Sequence, residues 1–418
     1  MDPKKQKLYL GGFSLNVILM GFVSFLTDAS SEMIVPILPL FLTETLVAPM
    51  IVIGLIEGGA ESTASILKAL SGSWSDKIKR RKPFMLAGYS VSTVSKFLFS
   101  ATTAWEQVVG LKVAERTGKG IRAAPKDALL AESCEPEIIG KVYGFHKAMD
   151  TAGAAFGVLL ALIVVGFLAL GYREIFLLSA IPATIAVVLI FFIKEPKTYC
   201  EPKPVKKKLF EGFSRFPKEL KLFIAAMAVL SVTSMMTSFL IILASNAHAT
   251  PFQNILMYLG FNVVFFTITM PAGSVSDKVG RYPVIILGYV VMLCMFCVAI
   301  VSSMVNDGLA PGQATTLSLG LAATAFLVYG LSYAFTQSVQ KALVADLCPK
   351  DLKGTAMGVY NMSIGIAALP MALIGGLLWT VYGSWSTFAF GAGACVVGIM
   401  MLVLVAMKKS AIDKALKS

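Results

Sequence analysis

The sequence predicts an all-α membrane protein of twelve transmembrane helices in two pseudo-symmetric six-helix bundles. Three observations carry that prediction. The 418 residues are 56% hydrophobic and 14% charged, with a mean hydropathy of +0.77, whereas a soluble globular domain carries about 25% charge. Apolar runs of about 20 residues recur from end to end, each long enough to cross a hydrocarbon core of roughly 30 Å as a helix. Finally, short motifs of the first half return in the second.

The spans fall at 13–42, 50–70, 84–104, 106–125, 142–168, 172–193, 222–244, 252–272, 283–304, 314–338, 355–379 and 384–407. They must be helical, because in lipid only a helix or a closed barrel satisfies its own backbone. The first is too long for a straight crossing and holds Pro36 and Pro39, which predicts tilt, a bend or a wound-out end. It is no signal peptide: no small-residue cleavage site closes a short apolar core, and further spans follow.

The net charge of +12 is distributed by topology. Lys4, Lys5 and Lys7 precede span one. Lys77, Lys79, Arg80, Arg81 and Lys82 separate spans two and three, and Lys194 to Lys221 bound a basic linker. Lys408, Lys409, Lys414 and Lys417 close the chain. Alternate connections hold almost no Lys or Arg apart from Arg173, which places both termini in the cytoplasm. A nucleic-acid role is therefore not expected. Cys294 and Cys297 form a CxxC inside an apolar span without a second pair, and the two histidines, His146 and His248, are far apart. Neither a redox pair nor a metal site is expected, and no cofactor.

Gly72-Ser-Trp-Ser-Asp76-Lys77-Ile-Lys79-Arg80 returns as Gly273-Ser-Val-Ser-Asp277-Lys278-Val-Gly280-Arg281, an offset of 201, and ALLAE at 128–132 returns as ALVAD at 342–346, an offset of 214. The difference fits an insertion in the polar stretch 306–316. The expected domains are a bundle at 1–193, a cytoplasmic linker at 194–221 and a second bundle at 222–418.

The repeated GxxxD(K)xxR string, in the turns after spans two and eight, resembles the signature loop of the major facilitator superfamily. In span four Arg116, Gly120, Ala123 and Ala124 resemble that family's RxxQGxGAA pattern, with Lys119 in place of its Gln and Arg122 in place of a Gly. Asp150, Gly153 and Gly157 match the family's antiporter pattern only in part and lack its proline. The resemblance implies the MFS fold and a prokaryotic permease of the cytoplasmic (inner) membrane, working as a monomer in the lipid bilayer. It implies that Gly72, Asp76, Lys77 and Arg80, with Gly273, Asp277, Lys278 and Arg281, form a cytoplasmic gate in which the glycine permits close helix approach.

Span four raises the main chemical question. At 3.6 residues per turn, Arg116, Lys119, Arg122 and Lys126 share one face. Asp28 and Glu32 are four apart in span one, Glu57 and Glu61 four apart in span two, and span five holds Asp150 with His146 one turn earlier. A charge at the bilayer centre costs about 2.5–3.5 kcal/mol on the insertion scale, so these groups should face one another across a wet cavity. Acids and bases nearly balance, so a closed salt-bridge network and an anion site both remain open. The expected substrate-binding or coupling set is Asp28, Glu32, Glu57, Glu61, Arg116, Lys119, Arg122 and Asp150. It suits a secondary transporter of a small polar, anionic solute, with protons exchanged at the carboxylates. A proton-driven multidrug exporter is the alternative, and a non-transporting sensor a more distant one. No GxSxG, HExxH or P-loop string supports an enzyme or an in-chain ATP motor.

Overall fold

The computed structural model describes residues 13–78, 80–135, 138–195, 213–308, 316–349 and 352–415. Lys4, Lys5, Lys7, Lys79, most of the linker, most of the 306–316 stretch, Lys417, and the side chains of Asp76, Lys408, Lys409 and Lys414 lie outside the described residues.

Among the described residues, twelve helical segments follow the predicted spans. Helix α1 begins at Leu15 behind Ser14, whose hydroxyl accepts the Val17 N–H. It stops at Ile34, because Pro36 and Pro39 supply no N–H for the ladder. A short turn at Leu38–Leu40 and a π-turn at Phe41–Thr45 complete the segment, so the expected wound-out end is present. Then come α2 (Met50–Ile78), α3 (Lys82–Phe99), α4 (Trp105–Glu132), α5 (Ile139–Gly166) and α6 (Tyr172–Phe192). The second set comprises α7 (Lys218–Asn246), α8 (Pro251–Val279), α9 (Arg281–Asp307), α10 (Thr316–Leu347), α11 (Lys353–Tyr382) and α12 (Ser384–Ala415). A capping box between Thr250 and Gln253, with Pro251 in the first turn, starts α8.

Ten of these helices are long and apolar enough to cross a membrane; α3 and α4 are not. Their serines and charges make them depend on neighbours, and the backbone brings them close. A Cβ on Gly118 would meet the Gly88 carbonyl, and one on Gly88 the Gly118 carbonyl. Similarly, Gly153 and Gly157 let α5 lie against the carbonyls of Phe25 and Ala29 on α1.

The described residues of Met1–Val47 and Thr63–Val205 form one compact unit, and those of Ala48–Ser62 and Lys206–Ser418 the other. Helix α2 therefore serves both: its first part packs with α11, where Gly54 and Gly58 lie against the backbone of Ala372 and Leu369, and Ser62 Oγ donates to Gly365 O.

Helix α7 departs from a regular span. Leu230–Met235 is a 3-10 segment without proline or glycine. The hydroxyls of Ser231, Thr233 and Ser234 donate to the carbonyls of Ala228, Leu230 and Ser231, three residues back, at 2.7, 2.9 and 2.7 Å. Such back-bonding competes with the regular ladder and suits the tighter turn.

Candidate functional site

In the first unit, α1, α3, α4 and α5 hold buried and half-buried polar groups. Lys96 on α3 is 1% exposed, and its Nζ donates to Ser30 Oγ at 2.8 Å and Ser31 Oγ at 2.9 Å. On α4, Lys112 and Glu115 form an ion pair at 2.7 Å with both side chains 8% exposed. Arg116 lies within electrostatic reach of that carboxylate, so Glu115 is neutralised by its own helix.

Arg122 is arranged differently. Its Nη1 donates to Ser92 Oγ at 2.6 Å and to Gly88 O at 3.4 Å, and its guanidinium carbon stands 4.2 Å from the centre of the Tyr89 ring. It is buried, yet among the described residues no carboxylate lies within 4.0 Å of it. Asp28 lies within electrostatic reach of Asp150, Lys119, Lys126 and Arg122. Further along α4, Lys126 Nζ donates to Ser24 Oγ at 3.1 Å; that hydroxyl is 2.9 Å from His146 Nε2, and His146 Nδ1 is 3.6 Å from Asp150 Oδ1.

The structure thus brings together Asp28, Lys119, Arg122 and Asp150 of the expected set. Glu32 is half-buried one turn beyond Asp28, and Arg116 lies within electrostatic reach of Glu115. Glu57 and Glu61 belong to the other unit, because the first part of α2 packs there. The site residues that sequence reasoning did not select are Lys96, Lys112, Ser24, Tyr89, Ser92, Lys126 and His146. Lys112 had a signal, its three-residue spacing from Glu115. The serine and tyrosine partners had none, because a hydroxyl's role depends on a neighbouring helix.

The duplication supplies an internal control. The offset of 214 carries Gly118, Arg122, Lys126 and His146 onto Ser332, Thr336, Gln340 and Tyr360, and an offset of 200 carries Gly88-Tyr89 onto Gly288-Tyr289. In the second unit Ser332 Oγ donates to Gly288 O at 2.8 Å, Gln340 Nε2 to the Tyr289 hydroxyl at 2.8 Å, and the Tyr360 hydroxyl to Gln340 Oε1 at 2.7 Å. The same scaffold is closed there by neutral groups. Packing alone therefore does not require the cations Arg122 and Lys126.

The repeated turn is corrected by one residue. Arg281 pairs with Asp277 at 2.6 Å and Asp346 at 3.2 Å, and donates to Ser276 Oγ at 2.6 Å. In the first unit these contacts belong to Arg81, which donates to Ser75 Oγ at 2.7 Å and pairs with Glu132 at 3.2 Å. Arg80, like Lys77 and Lys278, is exposed. Alignment on the proline, Arg81-Lys82-Pro83 against Arg281-Tyr282-Pro283, gives an offset of 200 and exposes the extra residue. Glu195 accepts the backbone N–H groups of Arg81 and Lys82 at the start of α3. Gly72 lets α2 approach Ala124, whereas a side chain on Gly273 would meet nothing within 4 Å, so close approach does not explain the second glycine.

A duplicated helical unit, crossing the membrane many times and holding ionisable groups within its spans, defines a multi-pass membrane protein of the transporter class. Residues 20–369 and 222–417 match the model of the Major Facilitator Superfamily. An uncharacterized MFS-type transporter of Methanocaldococcus jannaschii is 35% identical over 400 residues, covering 94% of this chain and 95% of its own. The chain belongs to the Major Facilitator Superfamily. An uncharacterized protein of Mycobacterium tuberculosis is 29% identical over 165 residues, 38% of this chain and 40% of that one. Among solved structures, the nucleoside transporter NupG aligns with a TM-score of 0.73 at 14% identity over 94% of this chain and 99% of its own. The POT family transporter PepTSo aligns with a TM-score of 0.76 at 13% identity over 95% and 98%. These likenesses establish the fold.

Proposed function

We propose that the protein is a secondary active transporter that moves a small polar solute bearing an acidic group across the cytoplasmic membrane by alternating access, coupled to protons. The observation that carries this reading is Arg122: a buried guanidinium on α4, oriented by Ser92 and Tyr89, without a carboxylate partner among the described residues, at a position where the second unit has Thr336. A planar guanidinium with unused donors suits a carboxylate or phosphate. Asp28 supplies the coupling. It shares an electrostatic neighbourhood with Lys119, Lys126 and Arg122, so an arriving anion competes with it for the same cations, and the carboxylate takes up a proton as that compensation is lost. Both termini lie in the cytoplasm, the repeated halves of the chain run over 1–193 and 222–418 around the 194–221 linker although Ala48–Ser62 packs with the second unit, and the monomer is the working unit. The repeated motifs act as gates, with Arg81 in the role the sequence gives to Arg80.

The test is thermal stabilisation of purified protein by a panel of organic acids and phosphorylated metabolites, compared with Arg122→Thr, which installs the second unit's own residue. The expected result is stabilisation by a subset of anions that Arg122→Thr abolishes while the unliganded protein remains folded. Stabilisation by lipophilic cations alone would instead favour the multidrug exporter. Asp28→Asn in proteoliposomes is expected to leave substrate exchange intact and remove acceleration by a proton gradient.

A further inference from the structure

The first unit holds a buried amine that the transport reading leaves unused. Lys96 on α3 is 1% exposed, and its Nζ meets two serines of α1, Ser30 Oγ at 2.8 Å and Ser31 Oγ at 2.9 Å. Both hydroxyl protons are committed elsewhere. Ser30 Oγ donates to Ser179 O on α6 at 2.5 Å, and Ser31 Oγ donates to Thr27 O at 2.9 Å. Each serine oxygen is therefore an acceptor toward Lys96, and the amine donates twice.

Two N–H groups are what a neutral lysine has. An ammonium adds a third together with a full positive charge, and among the described residues no carboxylate oxygen lies within 4.0 Å of this nitrogen. A buried charge without a partner is costly, and an amine escapes that cost by releasing its proton. Packing does not explain the group either. The offset of 200 that carries Gly88-Tyr89 onto Gly288-Tyr289 carries Lys96 onto Phe296, a buried ring that lies against Gly391. The second unit fills the matching place with hydrocarbon.

The surroundings of Lys96 decide when it takes a proton. Helix α4 brings Lys112, Glu115 and Arg122 within electrostatic reach, α1 brings Asp28, and α6 contributes the Ser179 carbonyl behind Ser30. Lys112 and Glu115 pair with each other and largely cancel at Lys96. That leaves Arg122, which opposes a further cation, against Asp28, which favours one. An anion on the guanidinium removes the opposition; loss of Lys112, which frees Glu115, acts in the same direction.

We propose that Lys96 is a proton-binding site of the first unit, a neutral amine while Arg122 is uncompensated and an ammonium once an anion occupies it, so that solute and proton are carried together. This rests on the reading given above for Arg122 and adds a second proton site to Asp28. In the step itself a proton delivered by water joins the Nζ lone pair, one N–H bond forms, and the anion supplies the matching negative charge.

Unfolding of the ligand-free, full-length protein in mixed micelles at a series of pH values tests the site without a substrate. An unfolded lysine keeps its proton up to about pH 10. If Lys96 is neutral in the folded protein, the unfolded state binds one proton more, and stability rises with pH only where Lys96 is present. Relative to Lys96→Met, the wild type is expected to gain about tenfold in its folding equilibrium constant per pH unit across the alkaline range below about pH 10. Lys96→Gln, whose amide also offers two N–H groups to the serines, is the second reference, so that a packing defect of methionine does not decide the result. In the Arg122→Thr background, where the guanidinium's charge is gone as it would be beneath a bound anion, the gain is expected to shrink, because Lys96 then keeps its proton in the folded protein too. No gain in the wild type against either reference means that Lys96 is an ammonium throughout and overturns the site. A gain undiminished by Arg122→Thr leaves a neutral lysine indifferent to the guanidinium and overturns the coupling. Neither result alters anion binding at Arg122, which the stabilisation panel measures separately.

Discussion

Replacing Lys112 with methionine tests whether the first unit's buried charges are structural partners or spare groups. Methionine retains most of the apolar stem and removes the ammonium, leaving Glu115 where both side chains of the pair are 8% exposed. At 2.7 Å and an effective dielectric of 20, the direct attraction is about 6 kcal/mol, most of it offset by desolvation of the two ions. What the substitution exposes is the uncompensated carboxylate, about 3–5 kcal/mol for a buried pair broken on one side. Lys96 and Arg116 still act on Glu115, which puts the expected loss at the lower end, about 3 kcal/mol. Lys112→Met/Glu115→Gln removes both charges and is expected to recover to within about 1 kcal/mol of the wild type. Reversible unfolding in mixed micelles, read as a double-mutant cycle, gives these quantities. A Lys112→Met protein as stable as the wild type, or a double variant no better than the single one, would refute the reasoning. Either result would mean that Glu115 is charged without needing its neighbour, or is neutral in the folded protein.

Two further outcomes follow from backbone and turn geometry. Gly153→Val places a branched side chain against the Phe25 carbonyl and is expected to cost at least about 1–3 kcal/mol by overpacking, whereas Gly144→Val, with nothing within 4 Å of the added carbon, leaves the melting temperature nearly unchanged. Arg81→Ala removes the bonds to Ser75 and Glu132 and is expected to lose about 1.5–3 kcal/mol, while Arg80→Ala stays within about 0.5 kcal/mol of the wild type. Thermal unfolding of the four variants in one detergent decides both comparisons.

The fold was legible because its signals are local. Runs of apolar residues mark the spans, and Pro36 and Pro39 announce the break that ends α1. The 3-10 turn in α7 was illegible for the opposite reason. Serine and threonine are compatible with a regular helix, and only their bonding to carbonyls three residues back identifies the tighter winding. The part shared by α2 was also hidden. A heptad or a hydropathy window cannot tell that Glu57 and Glu61 travel with α11 while Gly72, on the same helix, lies against α4.

The candidate site divides along the same line. That cations occupy one face of α4 follows from spacing alone, but which of them is already spoken for depends on distances across helices. Glu115 illustrates this: it stands next to Arg116 in the sequence, and the structure pairs it with Lys112 at 2.7 Å. The comparison that separates function from packing came from the duplication itself. Since Ser332, Thr336, Gln340 and Tyr360 close the second unit's version of this corner with neutral hydrogen bonds, a fold of this kind is stable without charge there. Retaining Arg122, Lys126 and His146 at the matching positions costs desolvation that the neutral set avoids. On the reading proposed above, a ligand that compensates the guanidinium during transport is the reason for keeping it, which makes Arg122→Thr, rather than alanine, the informative substitution.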